Sequence, residues 1–138
     1  MVKKTTKLMY AKLILIISIS FLAFSDKPDK ISYARFQSAF TRLEVPISLL
    51  NYNEIFIVHV GYCASTNYCG DNLIQYISHC ANRHCLVIYD QQDPKFEEQL
   101  TTIDGIEMRF VERHFLKTHN VFSVYNIHIK CKRVKYLY

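Results

Sequence analysis

Two short apolar runs, at residues 55–60 and 85–89, constrain the fold of this chain more than any other feature. His59 is the one polar residue in the two runs. Neither run therefore alternates between apolar and polar residues, as a strand with one solvent-facing side would. Unbroken apolar runs of this length are typical of strands that are covered on both faces. The stretch between them carries Leu73, Ile77 and Cys80 at helical spacing. The pattern predicts a βαβ unit with two parallel strands.

The residues that follow predict one more helix and three more strands. Asp93 and Pro94 have the N-cap and first-turn pattern of a helix, and Gly105 predicts that this helix has ended. Residues 112–120 indicate a loop or a short helix. The strands are predicted at residues 106–110, 124–130 and 134–138. In the first of them, Ile106, Met108 and Phe110 form one buried face. The last two form a hairpin around Lys132 and Arg133. The order β-α-β-α-β-β predicts an α/β fold with a central mixed sheet.

The N-terminal quarter of the chain has the composition of a targeting segment. Four lysines precede an apolar run at residues 13–24, and small residues lie at its C-terminal end, at Ala23 and Ser25. This run is shorter than the ~20 residues that cross a bilayer core as a helix. We expect residues 1–25 to be a secretory signal peptide or an N-terminal membrane anchor. Residues 26–54 are then a spacer with a short packing helix, and residues 55–138 the folded domain.

The net charge of the domain argues against a nucleic-acid partner. Four of the 17 basic residues lie in residues 1–25, whereas all 12 acidic residues lie after them. The remaining 113 residues therefore carry a net charge of only +1. Because nucleic-acid binding depends on a clear excess of positive charge, we expect no nucleic-acid partner.

Two cysteines, Cys63 and Cys69, lie between the first predicted strand and the helix that follows, for which Asp71 is the predicted N-cap. In open α/β sheets, ligands and reactive groups gather beyond the carboxyl ends of the strands, where helix N-termini present unpaired N–H groups. Thiols at this position indicate redox chemistry or metal binding. The other polar groups near the strand ends have simpler interpretations: His59 as a structural histidine and Asp90 as a turn residue.

The five cysteines of the chain suit an exported protein, because disulfides persist in oxidising compartments. A helix over residues 71–80 rises roughly 14 Å, whereas a disulfide needs Cα atoms within about 7 Å. If this helix is continuous, Cys69 therefore cannot pair with Cys80. We predict a Cys63–Cys69 pair, Cys80 and Cys85 either paired or both free, and Cys131 unpaired.

The chain resembles the thioredoxin-like superfamily in its predicted order of strands and helices and in three segments, at residues 56–63, 69–77 and 86–89. The small exported thiol proteins related to TlpA are the most similar branch, of which this chain resembles a degenerate or truncated member. The resemblance implies a thiol–disulfide oxidoreductase with Cys63 and Cys69 as the catalytic pair and with no metal or cofactor. It also implies protein thiols or disulfides of the cell envelope as partners, and an exported location in the periplasm or cell envelope, with or without a membrane tether through residues 13–24.

Two departures from that family leave a second hypothesis open. Five residues separate Cys63 from Cys69, where the family has two, and residues 122–126 lack the proline that the family places opposite its cysteines. The alternative is a non-catalytic envelope protein that uses the fold for binding and its cysteines as structural disulfides. A copper site formed by Cys63, Cys69 and His119 ranks third.

The residue types do not decide which thiol would attack. Cys69 lies nearer to the predicted helix start, where the helix dipole stabilises a thiolate. The resemblance implies the reverse, because the first cysteine of the family's pair is the nucleophile, and that residue is Cys63 here.

Overall fold

A computed structural model of the protein describes residues 30–61 and 70–138. The signal peptide or anchor predicted at residues 1–25 lies outside the described residues. The elements, in chain order, are α1 (Tyr33–Phe40), a 3-10 turn (Leu49–Asn51), β1 (Glu54–Val58), α2 (Asp71–Ser78), β2 (Cys85–Tyr89), α3 (Pro94–Thr101), β3 (Ile106–Phe110), α4 (Arg113–Thr118), β4 (Asn126–Lys130) and β5 (Arg133–Leu137).

The five described strands form one mixed sheet in the order β3-β2-β1-β4-β5. Strands β1, β2 and β3 are parallel, whereas β4 runs antiparallel to β1 and pairs with β5 as a hairpin. Strand β1 is therefore central, and all of its residues are buried. The predicted α/β class with a mixed sheet is confirmed, and the two unbroken apolar strands, β1 and β2, both lie inside the sheet.

Successive residues of β1 and β2 face opposite layers and divide the core into two clusters. Ile55 and Ile57 pack on one side with Phe36 and Phe40 of α1 and Leu116 of α4. On the other side, the apolar faces of α2 and α3 cover the remaining residues of the two strands, namely Phe56, Val58, Val87 and Tyr89 with Leu73, Ile77, Phe96 and Leu100. The helical spacing of Leu73 and Ile77 that predicted α2 is the spacing of its buried face.

The N-terminal ends of the helices differ in how they are capped. Ser32 and Asp93 are the N-caps of α1 and α3: the Ser32 side chain accepts one hydrogen bond from a backbone N–H of the first turn, and the Asp93 side chain accepts two. The N-cap of α2 is Gly70, with φ of 52°, and not Asp71 as the sequence pattern predicted. Asp71 is instead the first residue of α2, where its negative charge faces the positive end of the helix dipole.

Strand β3 differs from its predicted burial. The alternation predicted that Phe110 would share a buried face with Ile106 and Met108, but Phe110 is 40% exposed. Ile106 and Met108 are only partly buried against the second cluster. The physical reason is that β3 is the outer strand of the sheet, next to β2, so the helices do not cover it fully.

The C-terminal hairpin turns one residue earlier than predicted. Lys130 pairs with Arg133, so Cys131 and Lys132 form a two-residue loop. Both loop residues have positive φ, at 50° and 60°. Two successive positive φ angles are what a tight hairpin needs to match the twist of its strands. The segment predicted as a loop or short helix contains helix α4.

Candidate functional site

The carboxyl end of β1 is the part of the described protein where the predicted chemistry would take place. The chain leaves β1 through His59, Val60 and Gly61, and it re-enters the described structure at Gly70, where α2 begins. A cavity of about 280 Å³ lies there, and the residues that line it include both Gly61 and Gly70. The stretch that contains the two predicted cysteines therefore starts and ends at the same cavity.

Cys63 and Cys69 themselves lie in residues 62–69, outside the described residues. The predicted pairing of these two thiols and their assignment as a catalytic pair stay predictions. The same holds for the copper set of Cys63, Cys69 and His119. Within residues 30–61 and 70–138, no group of three or more His, Cys, Asp or Glu side chains could hold a metal ion.

Next to this cavity, a buried carboxylate joins the ends of β1 and β2. Asp90 accepts hydrogen bonds from His59 Nδ1 at 2.8 Å and from the backbone N–H of Val60 at 3.1 Å. The Nε and NH2 groups of Arg113 donate to the same carboxylate at 2.7 and 3.2 Å. Arg113 also donates to the carbonyl oxygen of Val60 at 3.2 Å. Asp90 and Arg113 therefore fix the backbone of the residues that lead into the cysteine stretch.

The environment of Asp90 favours its ionised form. Burial acts to raise the pKa of this carboxyl group, but the hydrogen bonds from His59 and Arg113 and their electrostatic attraction outweigh that effect. The pKa of Asp90 consequently lies below its ordinary value. Asp90 is thus a buried carboxylate rather than the turn residue that the sequence suggested, and it serves as the counter-ion of this site.

His59 is buried and contacts three different parts of the chain. Its backbone N–H donates to Asn126 Oδ1 at 2.9 Å, and its ring lies 4.8 Å from the ring of Phe122. Its Nδ1 faces Asp90, whereas Nε2 is buried and has no hydrogen-bond partner among the described residues. His59 is therefore structural, as predicted, but one of its two ring nitrogens is unsatisfied.

The segment that the resemblance places opposite the cysteines contacts this site. Phe122 lies beneath two cations, with Lys117 Nζ at 5.0 Å and Arg113 Cζ at 5.9 Å from its ring centre. Such contacts between cations and an aromatic face are attractive. Phe122 and Asn126 therefore connect the start of β4 to the carboxyl end of β1.

The remaining cysteines follow the predicted pattern where the structure describes them. Cys80 and Cys85 form a disulfide between the end of α2 and the start of β2, and Cys131 is free and exposed. The two histidines that precede the paired cysteines make other contacts: His79 Nδ1 lies 2.9 Å from the carbonyl oxygen of Gln75, and His84 stacks on Tyr52.

A second polar cluster, at the opposite end of β1, was not predicted. Glu54 is 6% exposed, and its carboxylate contacts His128 Nε2 at 2.7 Å and Lys130 Nζ at 3.0 Å. The hydroxyl group of Tyr76 lies 2.9 Å from the other ring nitrogen of His128. Phe56 stacks on the same imidazole ring, with centroids 4.5 Å apart. The acidic residue at the start of an apolar strand was the available sequence signal.

We compared the chain with protein-family models, with curated proteins and with solved structures, and none of the three comparisons gave a match. Within the described residues, no helix is both long and apolar enough to cross a membrane.

Proposed function

We propose that the chain is an exported, thioredoxin-like thiol–disulfide oxidoreductase that acts on proteins of the cell envelope through Cys63 and Cys69. One observation carries the proposal: the stretch with the two cysteines connects the central parallel strand of the sheet to the N-terminus of α2. That edge of an α/β sheet is where reactive groups and ligands concentrate. The antiparallel β4–β5 hairpin beside β1 is the other part of the sheet arrangement that a thioredoxin-like fold requires.

The proposed reaction is a two-step exchange of disulfide bonds. The thiolate of one cysteine attacks a disulfide of the partner protein, forms a mixed disulfide and releases one partner sulfur as a thiolate. The second cysteine then attacks the mixed disulfide and releases the other partner sulfur. The chain ends with a Cys63–Cys69 disulfide, and the partner ends with two thiols, so two electrons pass to the partner. The reverse sequence oxidises a partner.

The N-terminus of α2 supports the formation of a thiolate near Cys69. Gly70 offers no side chain to cap the helix, so the first backbone N–H groups of α2 are left without a side-chain acceptor from the N-cap position. The partial positive charge of a helix N-terminus stabilises a nearby anion. Asp71 acts against this effect, although its Oδ1 accepts a hydrogen bond from Gln99 at 3.2 Å.

The Asp90 cluster serves the proposed reaction as a positioning device. Its hydrogen bonds to Val60 and to the side chains of His59 and Arg113 hold the backbone immediately before the cysteine stretch. The Cys80–Cys85 disulfide supports the proposed location, because such bonds persist in oxidising compartments and are rare in reducing ones.

A redox titration of the full chain tests the proposal. The protein is equilibrated in glutathione buffers of graded potential, quenched with acid and alkylated, and each cysteine-containing peptide is quantified by mass spectrometry. We expect Cys63 and Cys69 to interconvert between about −120 and −270 mV, the range of known thiol–disulfide oxidoreductases. The Cys80–Cys85 pair is the internal reference for a structural disulfide. A Cys63–Cys69 pair that stays oxidised below about −300 mV would overturn the proposal.

An insulin-reduction assay provides the matched functional comparison. We expect the wild type to accelerate reduction of insulin by dithiothreitol, and Cys63→Ser and Cys69→Ser each to remove the acceleration. Cys131→Ser is the control, because Cys131 is exposed and unpaired on the β4–β5 turn. Equal rates for the wild type and both serine variants would contradict a catalytic role for the pair.

The second candidate function is a non-catalytic envelope protein whose cysteines are structural. The observation that favours it is the segment at residues 122–126, which contains no proline and places the ring of Phe122 against His59. In that case, the redox titration shows that the Cys63–Cys69 pair stays oxidised at potentials as low as those at which the Cys80–Cys85 pair stays oxidised.

A further inference from the structure

The β4–β5 hairpin and α2 form a pocket that the proposed redox reaction does not use. The pocket has a volume of about 680 Å³ and lies at the end of the sheet opposite to Gly61 and Gly70. We call it the hairpin pocket, and it is lined by Tyr76, His128, Lys130, Cys131, Arg133 and Lys135.

The strand register brings like charges together on the face that lines this pocket. Lys130 is directly opposite Arg133, and Lys135 lies on the same face of β5, two residues beyond Arg133. Like charges at directly opposed positions of an antiparallel pair destabilise the sheet. This arrangement does not stabilise a hairpin in water, whereas an anion bound on this face of the hairpin would offset the positive charge.

The acidic group next to the pocket offsets the charge of Lys130 but not that of Arg133 or Lys135. The carboxylate of Glu54 already contacts Lys130, His128 and the guanidinium of Arg83, the last at 3.6 Å. Among the described residues, neither Arg133 nor Lys135 pairs with a carboxylate, and both side chains are exposed. Burial, together with the positive charges of Lys130 and Lys135, holds the pKa of His128 below its ordinary value despite the opposing effect of Glu54.

We propose that the hairpin pocket binds a small molecule that carries a phosphate or pyrophosphate group. Arg133 and Lys135 would contact the anionic group, because a guanidinium and an ammonium donate charge-assisted hydrogen bonds to phosphate oxygens. The ring of Tyr76 would contact the rest of the ligand. The pocket volume lies within the ~300–1,000 Å³ of small-molecule sites.

Calorimetric titration of the full chain with inorganic pyrophosphate at constant ionic strength tests the proposal. We expect saturable binding of pyrophosphate, a loss of affinity of about tenfold in each of Arg133→Gln and Lys135→Gln, and a larger loss in the double variant. Lys132→Gln is the matched control, since it removes the same charge from the same hairpin at a residue that does not line the pocket. We expect its affinity to stay within about twofold of the wild type. Absence of saturable binding, or an equal loss in the control, would overturn the proposal.

Cys131 gives a second readout that needs no variant. Because its thiol lines the pocket and is exposed, bound pyrophosphate is expected to slow its alkylation by the uncharged reagent iodoacetamide. The rate is followed on the Cys131 peptide by mass spectrometry, with acetate at equal ionic strength as the control anion. Equal rates in pyrophosphate and acetate would contradict binding in this pocket.

A co-sedimentation experiment with lipid vesicles distinguishes binding of a small phosphate-containing ligand from binding to a membrane surface. Vesicles of phosphatidylcholine with phosphatidylserine are compared with vesicles of phosphatidylcholine alone, using the wild type and the double variant. Binding that depends on Arg133 and Lys135 with the anionic vesicles, together with no binding of pyrophosphate, would assign this face to lipid and remove the small-molecule proposal.

Discussion

His59 Nδ1 lies 2.8 Å from Asp90 Oδ2, and both side chains are fully buried. An ionised carboxylate has no proton to donate, so the proton in this hydrogen bond belongs to the imidazole Nδ1. The two residues each follow a strand, one position beyond the parallel pair of Val58 and Tyr89. The contact therefore joins the carboxyl ends of the two central parallel strands directly beside the predicted cysteine site.

The first prediction concerns the charge of Asp90. Asp90→Asn keeps the shape of the side chain but removes the negative charge that faces Arg113 and the carboxylate that accepts the hydrogen bond from His59. Loss of one partner of a buried ion pair costs about 3–5 kcal/mol, and the partial exposure of Arg113 places the expected loss at the lower end of that range. Urea unfolding followed by circular dichroism measures the change.

A matched control for this change is Asp93→Asn. Asp93 caps α3, and asparagine caps helices about as well as aspartate, so we expect a change of no more than about 0.5 kcal/mol. If both variants lose the same free energy of unfolding, the negative charge of Asp90 does not stabilise the protein more than an ordinary helix cap does.

The second prediction is that the protein loses stability as the pH falls. The folded pKa of His128 lies below its ordinary value of 6.5, with burial as the main cause. Burial would raise the pKa values of Glu54 and Asp90, but hydrogen bonds from their basic partners hold them below their ordinary values of 4.5 and 3.8. For all three groups the unfolded chain takes up protons first, so each contribution is present above the ordinary pKa and is lost as the pH falls through the folded pKa.

The expected stability profile has two parts. The free energy of unfolding decreases below about pH 6.5 because of His128, and it decreases further below about pH 4.5 because of the carboxylates. Urea midpoints between pH 8 and pH 3.5 measure the profile. His128→Gln is expected to flatten the first part, whereas His114→Gln, at an exposed histidine, is the control. A midpoint that rises between pH 7 and pH 5 would contradict the assignment.

The third prediction concerns the hydrogen bond between Tyr76 and His128. Tyr76→Phe removes the hydroxyl group that lies 2.9 Å from His128 Nδ1 but keeps the aromatic ring against Phe56. We expect a loss of about 1 kcal/mol in the free energy of unfolding, which is the usual net value of one hydrogen bond. Chemical unfolding provides the measurement, with Tyr138→Phe at the exposed C-terminus as the control. An unchanged stability would mean that water replaces the hydroxyl group fully.

Local sequence patterns predicted the inner part of the fold. Strands β1 and β2 were recognisable because a strand covered on both sides has no polar alternation, and α3 because Asp93 caps it and Pro94 starts it. The pattern failed at Phe110, because the burial of an outer strand depends on helices that are distant in sequence. It also failed at Asp71, since the backbone conformation of Gly70 decides where α2 starts.

The polar clusters were only partly accessible to sequence reasoning. His59 and Asp90 each follow an apolar strand, so the parallel register alone could have placed them side by side. Arg113 could not have been added in this way, because it reaches Asp90 through the packing of α4 on the sheet. Glu54 and His128 are 74 residues apart and meet only because β4 pairs with β1.

The fourth prediction concerns the Cys80–Cys85 disulfide, which closes a loop between residues five positions apart. A short loop loses little chain entropy when it is closed, so the bond is expected to contribute about 2 kcal/mol to the free energy of unfolding.

The measurement uses a Cys63→Ser/Cys69→Ser background, in which the reductant can act only on the pair of interest. Urea unfolding is compared with and without dithiothreitol, and Cys80→Ala/Cys85→Ala is expected to behave like the reduced protein. The added change Cys131→Ser is the control, because Cys131 forms no disulfide. If dithiothreitol leaves the unfolding midpoint of the background variant unchanged, the disulfide does not stabilise the junction between α2 and β2.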